Sequence, residues 1–325
     1  MKILLIGATG QVGYALTHAL IAAGHDTTVL VRKVGKLTFP KNVRVVLEPE
    51  FNEATFAALL PNMECAIYGV GLPEQFTFDS GIFERVTLNL FKTFLTAMEK
   101  SSLRRLVYIS TYEVFEAKDG MIRSSHPIAK LNGLSPYFRA MTQAYGEALA
   151  FAKRTNTKLT TIHPGALYGG RNTSEGITNV IENLLNWRLW KLPLVMPGRF
   201  PLVHADSLAT AIVSSLNHDG AFIVSDEMAS LKSLSQTLRR LTKSYLPPQV
   251  PAGLVYAAIA PLEALGRILH FRPMLCKVQI DFITAGNEPL AERAGQELEW
   301  KPLPLEDGLR RYLQDRQKLL AAHHS

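Results

Sequence analysis

The N-terminal stretch KILLIGATGQVGYAL places three glycines between an apolar, strand-length run and a helix-forming segment. In such a turn Gly7 permits the tight bend, Gly10 lets the backbone approach a phosphate, and Gly13 allows helix and strand to pack closely. The N–H groups and the dipole at the helix start attract negative charge. The stretch therefore predicts a dinucleotide-binding turn and restricts the fold to an α/β sheet that can carry one. The residues expected at the dinucleotide are Gly7, Thr9, Gly10, Gln11, Val12 and Gly13.

Strand-length apolar runs alternate with helix-length amphipathic segments through the first half of the chain. This alternation is typical of a doubly wound parallel sheet with helices on both faces, so we predict an α/β fold of the Rossmann type. The predicted strands are 2–6, 28–31, 43–46, 66–68, 106–109 and 159–162, and the predicted crossover helices are 12–23, 86–100 and 137–154.

After His163 glycine and proline interrupt the pattern. Segments 203–216 and 222–225 predict one more helix and strand that return to the main sheet. We expect a Rossmann domain made of residues 1–165 plus about 200–225, and a smaller, mostly helical substrate lobe made of about 166–199 plus 226–325. A ligand is expected between the two, because the crevice of an open α/β sheet forms at the carboxyl ends of its strands.

Composition excludes several classes of protein. With 47% hydrophobic and 19% charged residues, the chain is neither disordered nor fibrous. The net charge of +7 suits an anionic ligand, but the basic residues occur in scattered pairs without a nucleic-acid motif, so we expect no nucleic-acid partner. Cys65 and Cys276 lack a CxxC spacing and are expected to be reduced, buried thiols. No signal peptide is evident, which favours the cytoplasm.

One apolar segment, AGLVYAAIAPLEALGRILH at residues 252–270, raises the question of a membrane surface. Pro261, Glu263 and Arg267 interrupt it, and we interpret it as a packed helix pair. No membrane contact is therefore expected, with a peripheral contact as the alternative.

The end of the second predicted strand bears on the choice of nucleotide. A site selective for NAD places an acidic residue here, which accepts hydrogen bonds from the ribose 2′-hydroxyl. This chain has Arg32 followed by Lys33, with Lys36 shortly after. A cationic corner favours the 2′-phosphate of NADP, so we predict NADP as the cofactor, with NAD as the weaker candidate.

Several motifs together resemble the extended branch of the short-chain dehydrogenase/reductase superfamily, which contains NAD(P)-dependent epimerases, dehydratases and steroid-dehydrogenase-like reductases. They extend over most of the chain and comprise GATGQVG, VTLNLFKTFLTAMEKSSLRRLVYIST, TIHPGALYGG, VHADSLATAI and AGQELEWKPLPLEDGLRR. The resemblance implies a Rossmann domain with a small C-terminal substrate lobe, a small-molecule substrate and a homodimer. It also implies that Tyr68, Gly69 and Val70 line the adenosine ribose and that Pro164 and Gly165 approach the nicotinamide.

The family's catalytic set is a Ser or Thr followed by Tyr-x-x-x-Lys. By resemblance, Thr111 of STYEVF holds the substrate oxygen and Tyr137 of PYFRAM is the acid/base. Met141 occupies the position of the lysine. Residues four apart share a helix face, so the lysine would lie beside the tyrosine. A unit charge at about 4 Å, at an effective dielectric of about 20, contributes about 4 kcal/mol, or about three pKa units.

Methionine copies the length of the lysine stem without its charge. We therefore expect Met141 to fill the slot, the cofactor site to survive, and Tyr137 to titrate at high pH. Another cation could assist proton transfer by Tyr137 in place of the lysine. The candidates are Lys130 in a loop and Arg139, which points away from Tyr137 at i+2. Other side chains predicted near the cleft are mainly structural, and no metal-ligand spacing is present. These side chains are His126, His163, His204, Arg171 and Arg199.

Three functions remain open at this point. The first is an NADP-dependent oxidoreductase or epimerase with a non-standard active site, acting on a hydroxyl or carbonyl group of a small molecule. The apolar C-terminal lobe favours a hydrophobic substrate. The second is a catalytically silent NADP-binding redox sensor or assembly factor, which the missing lysine favours. The third is an unrelated nucleotide-dependent activity such as methyl transfer.

Overall fold

The computed structural model describes residues 1–34, 37–72, 77–170, 176–186, 195–271 and 276–324, the last five by their backbone alone. Its strands are β1 (Lys2–Ile6), β2 (Asp26–Val31), β3 (Arg44–Leu47), β4 (Cys65–Tyr68), β5 (Arg105–Ile109), β6 (Met121–Ile122), β7 (Lys158–Pro164), β8 (Ala166–Tyr168), β9 (Phe200–His204), β10 (Gly220–Val224), β11 (Glu227–Ala229) and β12 (Glu288–Pro289).

The helices alternate with these strands in the first half and dominate the C-terminal region. They are α1 (Gln11–Ala22), α2 (Glu53–Leu59), α3 (Gly81–Phe83), α4 (Leu90–Glu99), α5 (Pro136–Thr155), α6 (Gly176–Leu185), α7 (Ala205–Ser214), α8 (Leu231–Thr242), α9 (Ala252–Leu269), α10 (Lys277–Ala285), α11 (Glu292–Glu297) and α12 (Leu305–His324). A π-helical turn covers Glu84–Asn89, and 3-10 turns cover Tyr112–Val114 and Ser215–Asn217.

Seven parallel strands form the main sheet in the order β10-β7-β5-β4-β1-β2-β3. Its central strands are mostly apolar on both faces because helices cover both faces, whereas the edge strand β3 is largely exposed. Leu4 and Ile6 point into the core cluster beneath α4 and α5, whereas Ile3 and Leu5 point into the cluster beneath α1 and α7. This two-residue alternation confirms the predicted Rossmann-type fold, and each predicted strand is present to within two residues at either end.

The helix and strand that were predicted from segments 203–216 and 222–225 are also present, as α7 and β10. α7 packs on α1, and β10 extends the main sheet beside β7. β9, in contrast, pairs with β8 and β11 in a separate three-stranded sheet. A third core cluster lies under this small sheet, α6, α8 and α12. The division into two domains stays a prediction, with β9 on the side of the small sheet.

The apolar segment at residues 252–270 differs from the prediction of a packed helix pair. It forms one helix, α9, which continues through Pro261. Only 11% of its residues are buried. The two cysteines are free and buried, as predicted.

Candidate functional site

Two of the three glycines are required by the protein's own packing. Gly7 has a φ of +99°, which only glycine adopts without strain, and a Cβ there would lie 2.6 Å from the Gly69 carbonyl oxygen. A Cβ on Gly13 would lie 2.1 Å from the Gly7 carbonyl oxygen. The turn, the end of β4 and the start of α1 are therefore in backbone contact, and side chains at Gly7 and Gly13 would separate them.

Gly10 differs, because a Cβ there would meet only the Gly7 carbonyl oxygen at 3.6 Å, an ordinary contact. Gly10 is the N-cap of α1 and has no side chain to occupy the first-turn N–H groups, which lack intrahelical acceptors. No acidic residue lies in that first turn. The helix start thus offers unobstructed donors and a positive dipole, and the residues fit a pyrophosphate.

The Gln11 side chain has another role. Its amide donates hydrogen bonds to Thr178 Oγ1 at 2.7 Å and to the Gly169 carbonyl at 3.3 Å, and the side chain is buried. It therefore links α1 to α6, and only its backbone N–H remains for a ligand. Thr9 and Val12 are half-buried beside it.

The end of β4 lies against the glycine turn. Gly69 donates its N–H to the Ile6 carbonyl at 2.9 Å and lies against Gly7, with Val70 beside it. The Tyr68 side chain instead points into the core, fully buried among Phe91, Phe94 and Tyr108. The Tyr68 side chain is therefore closed to any ligand, because side chains alternate along a strand and this one faces the helices. That residues 68–70 line a ribose stays a prediction.

Arg32 and Lys33, just after the end of β2, are both exposed and therefore accessible to an anion. Lys36 lies outside the described residues.

On the opposite side of the crevice, Pro164 ends β7, and Gly165 donates its N–H to the Val224 carbonyl at 3.0 Å. A Cβ on Gly165 would lie 3.1 Å from the Pro201 carbonyl oxygen, so packing alone accounts for this glycine.

Thr111 and Tyr137 are placed by two neighbouring elements. Thr111 follows β5 and is the residue before the 3-10 turn Tyr112–Val114, with its side chain buried. Tyr137 lies in the first turn of α5, which Ser135 caps by accepting a hydrogen bond from the Phe138 N–H at 3.4 Å. The carboxyl ends of the strands and the start of α5 meet at the same edge of the sheet.

The sequence analysis missed a third residue here, Glu113. Its Oε2 lies 3.5 Å from Thr111 Oγ1, and burial raises the pKa of the Glu113 carboxyl to about 8, against the lowering effect of the hydrogen bond from Thr111. Burial and, next, the Glu113 charge raise the pKa of Tyr137. The sequence feature that could have revealed Glu113 is its position in STYEVF, two residues after the candidate hydroxyl of Thr111.

Met141 is buried in the core cluster beneath α5, one turn after Tyr137. Lys130 and Arg139 are both exposed. Among the described residues, no cation contributes to the pKa shift of Tyr137. That Met141 fills the position of the lysine without a charged substitute, and that it faces a ribose, both stay predictions.

The π-helical turn Glu84–Asn89 packs against α5 near Tyr137. Phe83, just before it, meets the Tyr137 ring edge-on at 5.8 Å between centroids. The Thr87 hydroxyl on this turn is buried, with no hydrogen-bond partner among the described residues. π-turns inside helices occur frequently at functional sites, and this one supports the wall beside Tyr137.

His163 lies directly behind Thr111. Its Nδ1–H donates to the Thr111 carbonyl at 3.0 Å, and its Nε2 accepts from Thr161 Oγ1 at 2.8 Å. Because a carbonyl only accepts, Nδ1 carries the proton, and burial lowers the pKa of His163 to about 4. His163 is therefore a neutral residue that positions the Thr111 backbone.

The remaining predicted side chains are structural or lie outside the site. His126 contacts the Glu116 carbonyl through Nδ1 at 3.0 Å, and His204 Nδ1 accepts from the Asp206 N–H at 3.2 Å as the cap of α7. Arg199 is exposed. Arg171 lies outside the described residues.

The fold is shared with sugar-nucleotide epimerases of known structure. UDP-glucose 4-epimerase of Thermotoga maritima has 16% identity and a TM-score of 0.78, over 98% of this chain and 100% of that one. A UDP-glucuronic acid 4-epimerase mutant from Bacillus cereus, in complex with a fluorinated UDP-sugar and NAD, has 15% identity and a TM-score of 0.74, over 98% and 100%. A nucleoside-diphosphate-sugar epimerase of Pseudomonas aeruginosa has 16% identity and a TM-score of 0.77, over 97% and 96%.

No curated protein sequence matches this chain significantly. The model of the NAD dependent epimerase/dehydratase family matches residues 3–224, which include the glycine turn, Thr111, Glu113 and Tyr137. The chain thus belongs to the NAD-dependent epimerase/dehydratase family, and it is an enzyme of the extended short-chain dehydrogenase/reductase type that uses a nicotinamide dinucleotide.

Proposed function

We propose that this protein is an NADP(H)-preferring oxidoreductase or epimerase/dehydratase that acts on a hydroxyl or carbonyl carbon of a small molecule. In this site Glu113 exchanges the proton at working pH. The observation that carries the proposal is the grouping of Thr111, Glu113 and Tyr137 at the edge of the sheet that also carries the glycine turn.

The glycine turn and the start of α1 would hold the pyrophosphate, with Gly69 and Val70 beside the ribose of the adenosine half. Pro164 and Gly165 would border the nicotinamide half. When bound, the dinucleotide accepts or supplies the hydride, and the chain's residues then only have to orient the substrate and move a proton.

Proton transfer is most effective when the pKa of the acid or base lies near the operating pH. The pKa of Glu113 is about 8, whereas burial and the neighbouring carboxylate raise that of Tyr137 above its already high ordinary value. Glu113 is therefore the better proton carrier of the two. The Thr111 hydroxyl would hold the substrate oxygen, and Tyr137 would act as a neutral hydrogen-bond donor to it.

The preference for NADP is supported by Arg32 and Lys33, which stand where a carboxylate would bind the 2′-hydroxyl of NAD. The Arg32 guanidinium and the Lys33 ammonium attract a 2′-phosphate, and arginine can form a bidentate pair with it. The fluorinated-sugar complex of the Bacillus cereus enzyme contains NAD, so the corner at Arg32 is where this chain's preference would diverge.

Two measurements test the proposal. The first is the quenching or enhancement of NADPH and NADH fluorescence on titration with the protein; the second is turnover with a panel of sugar nucleotides, ketones and sterols. We expect tighter binding of NADPH and turnover of at least one class. Tight NADPH binding without turnover across the panel would favour the silent redox sensor, which the charge-free Met141 supports. Binding of S-adenosylmethionine in place of either dinucleotide would overturn both.

A further inference from the structure

A cavity of about 490 Å³ lies between the C-terminal half of α5 and the first residues of β7 and β10. We call it the α5–β10 cavity. The amino ends of the two strands form the end of the sheet opposite to the glycine turn, so the cavity opens away from the crevice of the candidate site. Its volume is typical of pockets that bind small molecules.

One wall of the α5–β10 cavity is apolar. Leu149 and Ala152 contribute it from α5, while Leu159 of β7 and Ala221 of β10 contribute it from the sheet. Leu149 is 38% exposed, although it is a large aliphatic residue. A ring or other apolar body lying on this wall would remove such surface from water.

The floor of the α5–β10 cavity is polar and buried. It contains Tyr145 and Thr161, whose side chains are 4% and 1% exposed. Burial raises the pKa of Tyr145, so its phenol is neutral and can donate or accept a hydrogen bond. Thr161 Oγ1 gives its proton to His163 Nε2 at 2.8 Å, which leaves the threonine oxygen as an acceptor. A few fixed polar groups of this kind orient a ligand in a largely apolar pocket.

Two lysines lie at the rim of the α5–β10 cavity. Lys153 and Lys158 both line it, are both exposed, and form no ion pair with a described residue. The acidic residue in the lining, Asp219, is already paired with Arg105 at 3.4 Å. The two ammonium groups are therefore available to an anion.

The remaining charges near the α5–β10 cavity cancel in pairs. Arg293, which lies against Gly220, is paired with Glu297 at 2.6 Å, and Arg154 is paired with Glu99 at 2.9 Å. The C-terminal end of α5 contributes about half a negative charge. That is less than the charge of either lysine, so the rim of the cavity stays positive.

His163 joins the floor of the α5–β10 cavity to the candidate site. The Tyr145 ring meets the imidazole edge-on at 4.9 Å between centroids, and Thr161 bonds to its Nε2. The other ring nitrogen, Nδ1, donates to the Thr111 carbonyl at 3.0 Å. A ligand on the cavity floor would therefore lie one side chain away from the residue that positions Thr111.

We propose that the α5–β10 cavity binds a small amphipathic anion, which acts as an effector and not as the substrate. Its apolar body lies on the wall formed by α5, β7 and β10, and its carboxylate or phosphate lies between Lys153 and Lys158. A polar group at its inner end meets Tyr145 and Thr161. The site is separate from the dinucleotide, which belongs at the opposite end of the sheet.

Titration calorimetry with 1-naphthoate tests this site. The probe has an apolar two-ring body and one carboxylate. We expect it to bind with the same affinity in the presence and absence of saturating NADPH, because the two sites are separate. The uncharged analogue 1-naphthamide has the same rings and should bind about tenfold more weakly, because it lacks the charge that the lysines attract.

Two substitutions on α5 locate the probe. Ala152→Phe places a ring in the α5–β10 cavity and should abolish the binding of 1-naphthoate. Ala150→Phe is the matched control, because it makes the same change at an exposed position of the same helix outside the cavity lining, and it should bind as the wild type does. Thermal melts of both variants check that each is folded.

A second pair of variants tests the charge without filling the cavity. Lys153→Gln/Lys158→Gln should bind 1-naphthoate about tenfold more weakly and leave the affinity for 1-naphthamide unchanged. Lys118→Gln/Lys232→Gln, which removes two exposed lysines from other surfaces, should change neither affinity. The proposal is wrong if 1-naphthoate does not bind at millimolar concentration, if it competes with NADPH, if the two probes bind alike, or if the control variants weaken binding as much as their partners do.

Discussion

At the scale of single residues, the proposed chemistry rests on the Glu113 carboxyl, whose pKa burial raises to about 8, and on the neighbouring Tyr137 phenol, whose pKa burial raises above its ordinary value. Burial raises the pKa of both Glu113 and Tyr137, and the Glu113 charge raises that of Tyr137 further. The neutral forms of both groups are therefore favoured at neutral pH.

The pH dependence of turnover should report Glu113. Oxidation of a hydroxyl needs the carboxylate as base, so the rate should rise as the pH passes about 8, and reduction should show the reverse dependence. Glu113→Gln should remove this dependence and lower kcat by about a hundredfold or more. Glu116→Gln, in the same segment, is the control that should keep the profile. An unchanged profile in Glu113→Gln would show that another group carries the proton.

The same carboxyl makes stability depend on pH. Its pKa is about 8 in the folded protein and 4.5 is the ordinary value, so the folded state binds more protons between these limits. The wild-type protein should therefore lose stability as the pH rises from about 5 to 9, by roughly 2 kcal/mol once solvent access in the cleft is allowed for. Urea unfolding of wild type and Glu113→Gln at both ends of this range measures the difference, which should appear only in the wild type.

Restoring the lysine is the direct test of the missing charge. Met141→Lys would place an ammonium one turn from Tyr137, lower the pKa of Tyr137 and raise turnover near neutral pH by about tenfold or more. It should also lower the melting temperature, because the Met141 side chain is buried and a buried ammonium is poorly solvated. Met141→Leu controls for volume and should change neither the pH profile nor turnover.

At the scale of elements, the glycine turn contains two kinds of glycine: packing requires Gly7 and Gly13, whereas Gly10 is proposed to serve the ligand. Gly10→Ala meets only an ordinary contact at 3.6 Å, so it should fold with nearly the wild-type melting temperature but bind NADPH about tenfold or more weakly. Gly13→Ala would place a Cβ 2.1 Å from the Gly7 carbonyl oxygen and should destabilise the protein itself. Thermal melts and NADPH titrations of the two variants give the comparison. Equal NADPH affinity in Gly10→Ala and wild type would contradict a pyrophosphate at this helix start.

At the scale of the whole molecule, Asp226 joins the sheet domain to the C-terminal segment. Its carboxylate accepts hydrogen bonds from the His204 N–H at 2.7 Å, from Ser207 Oγ at 2.6 Å and from the Leu303 N–H at 2.9 Å. Burial raises the pKa of Asp226, and these three donors oppose that shift. The group thus holds β9, α7 and the approach to α12 together.

Removing that carboxylate should be costly for stability. Asp226→Ala leaves three donors without their acceptor, and we expect a loss of about 3 kcal/mol in the free energy of unfolding, measured by denaturant titration. Glu306→Ala, which removes an exposed carboxylate from the start of α12, should change that free energy little. A loss in Asp226→Ala no larger than in this control would mean that water replaces the carboxylate.

The amino-acid sequence by itself determined the Rossmann-type sheet, the glycine turn and the positions of Thr111, Tyr137 and Met141, because these depend on residue periodicity and on local spacing. It could not determine which way the Tyr68 and Gln11 side chains face, since that depends on the neighbouring helices that cover them. Nor did it reveal Glu113 or the exposed face of α9. The protonation of a carboxyl and the exposure of an apolar helix are both decided by what the folded chain places around them, and only the tertiary structure contains that information.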